Sequence, residues 1–354
     1  MSISAGTYTV GGSGTNYPGV TGLDDAIADE AAFTGALTYV VSGPVNWTAD
    51  VNINQNGYAR RITSDTPHYG AISAGWYVSV DTDVLLASNV AHITVDNLKF
   101  NPIGAGGTIN LGNGFFEPYY TFDNCIFNNV ALNYGSPSSN NESKFTNNIH
   151  YYTGIQIYAW DSVDTPITIE NNFFYSTQIS IVLRNNSTNG ELEKIILRNN
   201  NIFRDAGAAI SIVAGTYKSY PEGYNNATKD TNITDLTWSV SSDNVPNADP
   251  AGNIQSLDIT SDLYGNLIDG TRIGATYTPG AADIGQAGML PTYAGATDAA
   301  GNTRPDEGGF YPIGPFSQQY VFGGHDVKMI QDKIVITHSR HNEFSFGLNF
   351  TLDE

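Results

Sequence analysis

Positive charge is scarce in this chain of 354 residues. Lys and Arg total 15 against 35 Asp and Glu, for a net charge of -20. Nucleic acid as a main partner is thereby excluded, because phosphate recognition needs clustered cations. Docking on anionic membrane surfaces is excluded on the same ground. There is one cysteine, Cys125, so no intrachain disulfide can form. No run approaches the roughly 18 apolar residues of a membrane span. The N-terminus, MSISAGTYTVGGSG, has neither a basic n-region nor an apolar h-region, so it does not read as a secretory signal. Charged residues are only 14% of the chain, while hydrophobic residues reach 40%, enough for a substantial core.

Helix formers are also scarce. Only Leu23 to Phe33, LDDAIADEAAF, reads as a helix, with acidic residues in its first turn where the helix dipole favours them. Elsewhere short β runs alternate with Asn, Gly, Ser and Asp.

An internal repeat organises these runs. ITVDNLKF from Ile93, YTFDNCIF from Tyr120, SKFTNNIH from Ser143, ITIENNFF from Ile167 and IILRNNNIF from Ile195 each place an apolar residue two positions before an Asn. The apolar residues are Val95, Phe122, Phe145, Ile169 and Leu197, and the Asn are Asn97, Asn124, Asn147, Asn171 and Asn199. Successive Asn stand 27, 23, 24 and 28 residues apart. A second strand follows each, at Thr108, Ala131, Gly154, Ile179 and Ala209. A period this long, with strands and no helix, predicts a parallel β-solenoid whose coils bury their apolar faces by stacking. The recurring Asn is expected to bond its side-chain amide to the same amide one coil away, or else to mark ordinary turns.

The arrangement resembles the right-handed parallel β-helix proteins of the pectate-lyase-like kind, from about Thr7 to Phe316. The resemblance implies an all-β fold with an N-terminal capping helix and appended C-terminal β-strands. Its parts are a leading strand and capping helix over 1–58, the β-helix over 59–316 and a C-terminal appendage over 317–354. The last part alternates like strands, as in KIVITHS and EFSFGLNF, and suits pairing with another chain.

Motifs for Ser nucleophiles, phosphate loops, zinc proteases and Cys-x-x-Cys chemistry are absent. His338 and His341 fall on opposite faces of an expected strand, and Asp81, Asp83, Asp298 and Asn302 read as solvated turns. No metal or cofactor is implied. If Val95 points in, then His92, Tyr119 and Glu142 stack in one outward column and Asp96 lies over Asp123 in another. Paired carboxylates are the machinery of glycoside hydrolysis. The same residues also read as an acidic face relieved by Lys144, and Glu170 over Arg198 as an ion pair between coils. On the later strands Tyr158, Val182 and Val213 form an outward apolar column, with Trp160 beside Arg184. Its cover is a sister subunit, a sugar, or a loop such as FEPYY near Phe115 or the insertion from Gly215 to Asp235.

Fold-level resemblance cannot choose a function by itself. The expectation is a non-enzymatic virion protein, such as a capsid decoration protein, fibre or tailspike, located in the virion. Its partners would be other virion subunits or copies of itself, and cell-surface polysaccharide. The alternative is a polysaccharide lyase or glycoside hydrolase working through Asp96, Asp123, His92 and Glu142. Extracellular surface attachment is the alternative location.

Overall fold

The computed structural model describes residues 5–30, 35–53, 58–68, 75–88, 92–112, 119–135, 142–159, 166–175, 177–183, 194–203, 210–213, 221–224, 226–228, 240–242, 326–330, 333–337 and 348–349. Two compact units divide the chain, Met1–Gln318 and Gln319–Glu354.

The first unit is a parallel β-solenoid of the right-handed type. Its strands stack into three parallel sheets of 11, 8 and 7 strands. A typical coil runs Tyr119–Asp123 in the first sheet, Ile126–Asn128 in the second and Val130–Gly135 in the third. The middle strand is three residues long and starts just after the recurring Asn. A two-strand reading of the repeat merges it into the first strand.

That Asn makes the corner. Asn97, Asn124, Asn147, Asn171 and Asn199 all adopt left-handed backbone, with φ between 53 and 57°. Asn tolerates this region far better than most L-residues, so the chain turns sharply from the first sheet to the second.

Stacking begins earlier than residue 59. Leu37–Val41, Val45–Trp47 and Val51–Ile53 already join the three sheets. The segment from Gly215 to Asp235 is not a free insertion either. It holds Glu222–Tyr224 and Ala227–Thr228, which extend the first and second sheets. The helix spans Gly22–Ala28, shorter than the expected Leu23 to Phe33. Its buried Leu23, Ala26 and Ile27 join the core, and Asp24 accepts bonds from the Thr48 and Ala49 backbone.

The inward residues Val95, Phe122, Phe145, Ile169 and Leu197 are fully buried, as their spacing predicts. The amide ladder departs from expectation. Asn124 Nδ2 does donate to Asn97 Oδ1 at 2.5 Å. The buried ladder, however, is built one residue further on, by Asn148, Asn172, Asn200 and Asn226. Each Oδ1 accepts a backbone N–H from the equivalent position one coil earlier: Cys125 at 2.9 Å, Asn148 at 2.8 Å, Asn172 at 3.1 Å and Asn200 at 3.1 Å. Each Nδ2 donates to the carbonyl of an inward residue of that coil, namely Phe122, Phe145, Ile169 and Leu197. Where the ladder ends, the Cys125 thiol donates to the Val95 carbonyl at 3.6 Å in place of an amide. The left-handed Asn turns the next side chain inward, and the corner's backbone groups then need a buried polar partner.

The second sheet stacks Phe100, Phe127, His150 and Phe174 inside the coil. His150 lies between Phe127 and Phe174, with ring centroids 4.7 Å away on both sides. Neither of its ring nitrogens has a hydrogen-bond partner among the described residues.

In the second unit, Asp326–Ile330, Lys333–Thr337 and Leu348–Asn349 form an antiparallel sheet.

Candidate functional site

The first sheet carries the carboxylates named from sequence. Backbone register pairs Asp123 with Asp96 and Tyr119 with His92. Neighbouring strands stand about 4.8 Å apart, a spacing compatible with a retaining glycosidase pair. Asp96 is engaged in bonds between coils. Asp96 is buried at 6% exposure and accepts Arg61 Nε at 2.7 Å, Arg61 Nη2 at 3.0 Å and Asn97 Nδ2 at 3.1 Å. It also accepts the Thr63 hydroxyl. Three of these bonds end on Oδ1 and one, from Arg61 Nε, on Oδ2. Asp123 Oδ1 accepts Thr146 Oγ1 at 2.6 Å and Asn147 Nδ2 at 3.0 Å. Both groups tie one coil to the next. The Asp96 charge is met by Arg61, not by Lys144, which pairs with Glu142 at 3.1 Å.

His92 stacks on Tyr119 at 4.4 Å, and its Nε2 bonds Thr121 Oγ1 at 2.8 Å. Partial burial, then the nearby Lys144 charge, lowers its pKa below the usual histidine value. Glu142 accepts Thr168 Oγ1 at 2.6 Å. His92 and Glu142 thus face the same sheet without converging on Asp96 or Asp123. Register sets Glu170 beside Arg198, as read from sequence.

The third sheet places Tyr158, Val182 and Val213 in register. The side chains of Val182 and Val213, with Trp160 and Arg184 altogether, lie outside the described residues. Tyr158 donates to Gln156 Oε1 at 2.7 Å, beside an amide column in which Asn133 Nδ2 donates to Asn110 Oδ1 at 3.1 Å. Asp81 Oδ1 accepts the Thr82 N–H at 2.7 Å in a local turn, and Asp83 meets Asn110. His338, His341, Asp298 and Asn302 lie outside the described residues. Among the described residues no group of three or more His, Cys, Asp or Glu is placed to hold a metal ion.

The second sheet escapes sequence reasoning because its strands are so short. Its outer face carries Asn46, Ser79, Asn101, Asn128, Tyr151 and Tyr175 in one register column. None of these is charged. Asn128 Nδ2 donates to Asn101 Oδ1 at 3.2 Å. At the tyrosine end, Tyr152 makes the corner into the third sheet with φ 63° and is 48% exposed. One coil earlier Asn129 makes the same corner with φ 54°. Left-handed backbone costs a bulky residue about 1–3 kcal/mol. Tyr152 lies 6.1 Å from Tyr175 and 6.5 Å from Tyr151, ring to ring. Tyr151 is fully buried, and its hydroxyl has no hydrogen-bond partner among the described residues. The doublet Tyr151-Tyr152, standing where the preceding repeat has Asn128-Asn129, is the signal of this corner in the sequence.

No family model matches the chain, and neither a curated protein nor a solved structure matches it.

Proposed function

We propose that the chain is a non-enzymatic structural or adhesive protein that offers the outer faces of its β-solenoid to other molecules. Virion decoration proteins, fibres and tailspikes on the pectate-lyase-like β-helix are the kind it resembles. The observation that carries this reading is the bonding of Asp96. Among the described residues, the carboxylate pair that the register brings together is tied into bonds between coils, Asp96 to Arg61 and Thr63 and Asp123 to Thr146. The described column Asn101, Asn128, Tyr151 and Tyr175 of the second sheet and the pair Asn110 and Asn133 of the third carry amides, hydroxyls and aromatic rings. Within this reading the Gln319–Glu354 unit joins the protein to copies of itself or to other virion subunits.

The test is incubation with acidic and neutral polysaccharides, following new reducing ends and unsaturated products. No turnover is expected from the wild type. Asp96→Asn should lower stability by about 1–3 kcal/mol, since it breaks charge-assisted bonds to Arg61. Turnover that disappears in Asp96→Asn or Asp123→Asn, with the fold retained, would overturn the proposal in favour of the lyase or hydrolase.

A further inference from the structure

We infer that the apolar face of the three-stranded sheet in Gln319–Glu354 binds the same face of a second copy of this chain. This rests on the structural reading above and names the surface and the partner of that unit.

The first observation is the register. It pairs Val327 with Ile336, Met329 with Ile334, and Ile334 with Leu348. Paired residues of an antiparallel sheet share a face, as do alternate residues along a strand. Val327, Met329, Ile334, Ile336 and Leu348 therefore occupy one face, and every one of them is apolar. The other face mixes Asp326, Lys328, Lys333, Thr337 and Asn349 with Ile330 and Val335. Such one-sided patterning belongs to a sheet that is solvated on one side and covered by a second layer on the other.

The second observation is where the charge lies. The sequence of this unit holds Lys328, Lys333 and Arg340 against Asp326, Asp332, Glu343, Asp353 and Glu354, a net charge of -2 out of the chain's -20. The preceding 318 residues carry the rest, so two copies repel one another mainly through that part. They can meet where the charge is nearly balanced, on a face whose register positions hold none.

The third observation selects the mode of pairing. The edge strand Asp326–Ile330 carries Asp326 and Lys328, and charged residues on an edge oppose the addition of another strand. The apolar face, by contrast, has no charged or polar position with which to choose among foreign proteins. A second copy needs none, because one patch meets its own image about a two-fold axis and each chain supplies the same residues. Two sheets stacked this way stand about 10 Å apart with their strands within about 30° of each other. Ile334, on the central strand and paired on both sides, then falls nearest the axis.

Sedimentation equilibrium of the full chain at micromolar concentration reads the partner. Wild type should have twice the chain mass. Ile334→Lys combined with Ile336→Lys should fall to the chain mass with the solenoid's circular dichroism retained, while Thr337→Lys, on the other face, should keep the doubled mass. The two added lysines also burden the small sheet itself, so cross-linking supplies an independent reading. Cys125 is buried, so an added cysteine reports alone under native conditions. Ile334→Cys should join two chains through a short bismaleimide, and Val335→Cys, the next residue and on the opposite face, should not. A wild type at the chain mass would overturn the inference, by giving the face to a foreign protein or to the chain's own fold, and would leave the non-enzymatic reading to the turnover assay. A wild-type trimer or larger assembly would overturn it, as would a doubled mass that survives the two lysines. Absence of a cross-link in Ile334→Cys, or an equal cross-link in Val335→Cys, would overturn it as well.

Discussion

Replacing Asn172 by Ala tests the buried amide ladder. The Asn172 side chain accepts the Asn148 N–H at 2.8 Å and donates to the Phe145 carbonyl at 2.8 Å and to Asn200 Oδ1 at 3.0 Å. Alanine leaves the Asn148 N–H without its acceptor inside the core and strips a donor from two oxygens. Asn200 Oδ1 keeps the backbone N–H of residue 172, so the damage falls mainly on the preceding coil. One orphaned buried group costs about 1–3 kcal/mol, and the remaining lost bonds bring the total to roughly 2–4 kcal/mol. Asn172→Asp should cost more, because an oxygen then faces the Phe145 carbonyl and Asn200 Oδ1. The neighbouring Asn171 is the control. Its φ is 57°, so Asn171→Ala should cost about 1–2 kcal/mol through backbone strain, and Asn171→Gly should cost less than Asn171→Ala. Urea unfolding at neutral pH, followed by circular dichroism with unchanged m-values, measures all four. A cost for Asn172→Ala within about 0.5 kcal/mol, the range of surface substitutions, would refute the ladder.

Acid should destabilise the coils through their buried histidines. Burial pushes the pKa of His150 down to about 3 and that of His68 to about 4, from an ordinary value of 6.5, with Lys99 adding to the effect at His68. The fold favours the neutral ring, so this stability is complete above pH 6.5 and is lost as pH falls toward the folded values. At pH 4.5 the loss is roughly 2–3 kcal/mol per histidine. His150→Phe should raise the urea midpoint at pH 7, because it removes two unpartnered nitrogens from an aromatic stack, and should flatten the fall to pH 4.5. An unchanged pH profile in His150→Phe would refute its burial as a neutral ring. Deleting 319–354 should leave the solenoid's circular dichroism intact and lower the assembled mass in light scattering. The same oligomer with a lower melting temperature would refute an attachment role for that unit.

The amino-acid sequence by itself determines the stacked coils and their inward face. The Asn spacing predicts the coils, and the residue two positions before each Asn predicts the inward face, because strand alternation is local. The same alternation sets Asp96 over Asp123, Tyr119 over His92 and Glu170 over Arg198, as the register has them.

Tertiary structure decides what those side chains do. Arg61 meets Asp96 from 35 residues earlier, across a coil boundary whose loops vary in length, and no spacing rule predicts that pairing. The ladder passes through the second Asn of each pair because the first turns left-handed, which only the three-sheet corner requires. The middle strand is too short to show alternation, and it presents the uncharged column and the tyrosine corner. In a solenoid each residue's neighbours along the axis lie a full coil away in sequence. The period therefore reveals the core, while the chemistry of the outer faces depends on how unequal coils come into register.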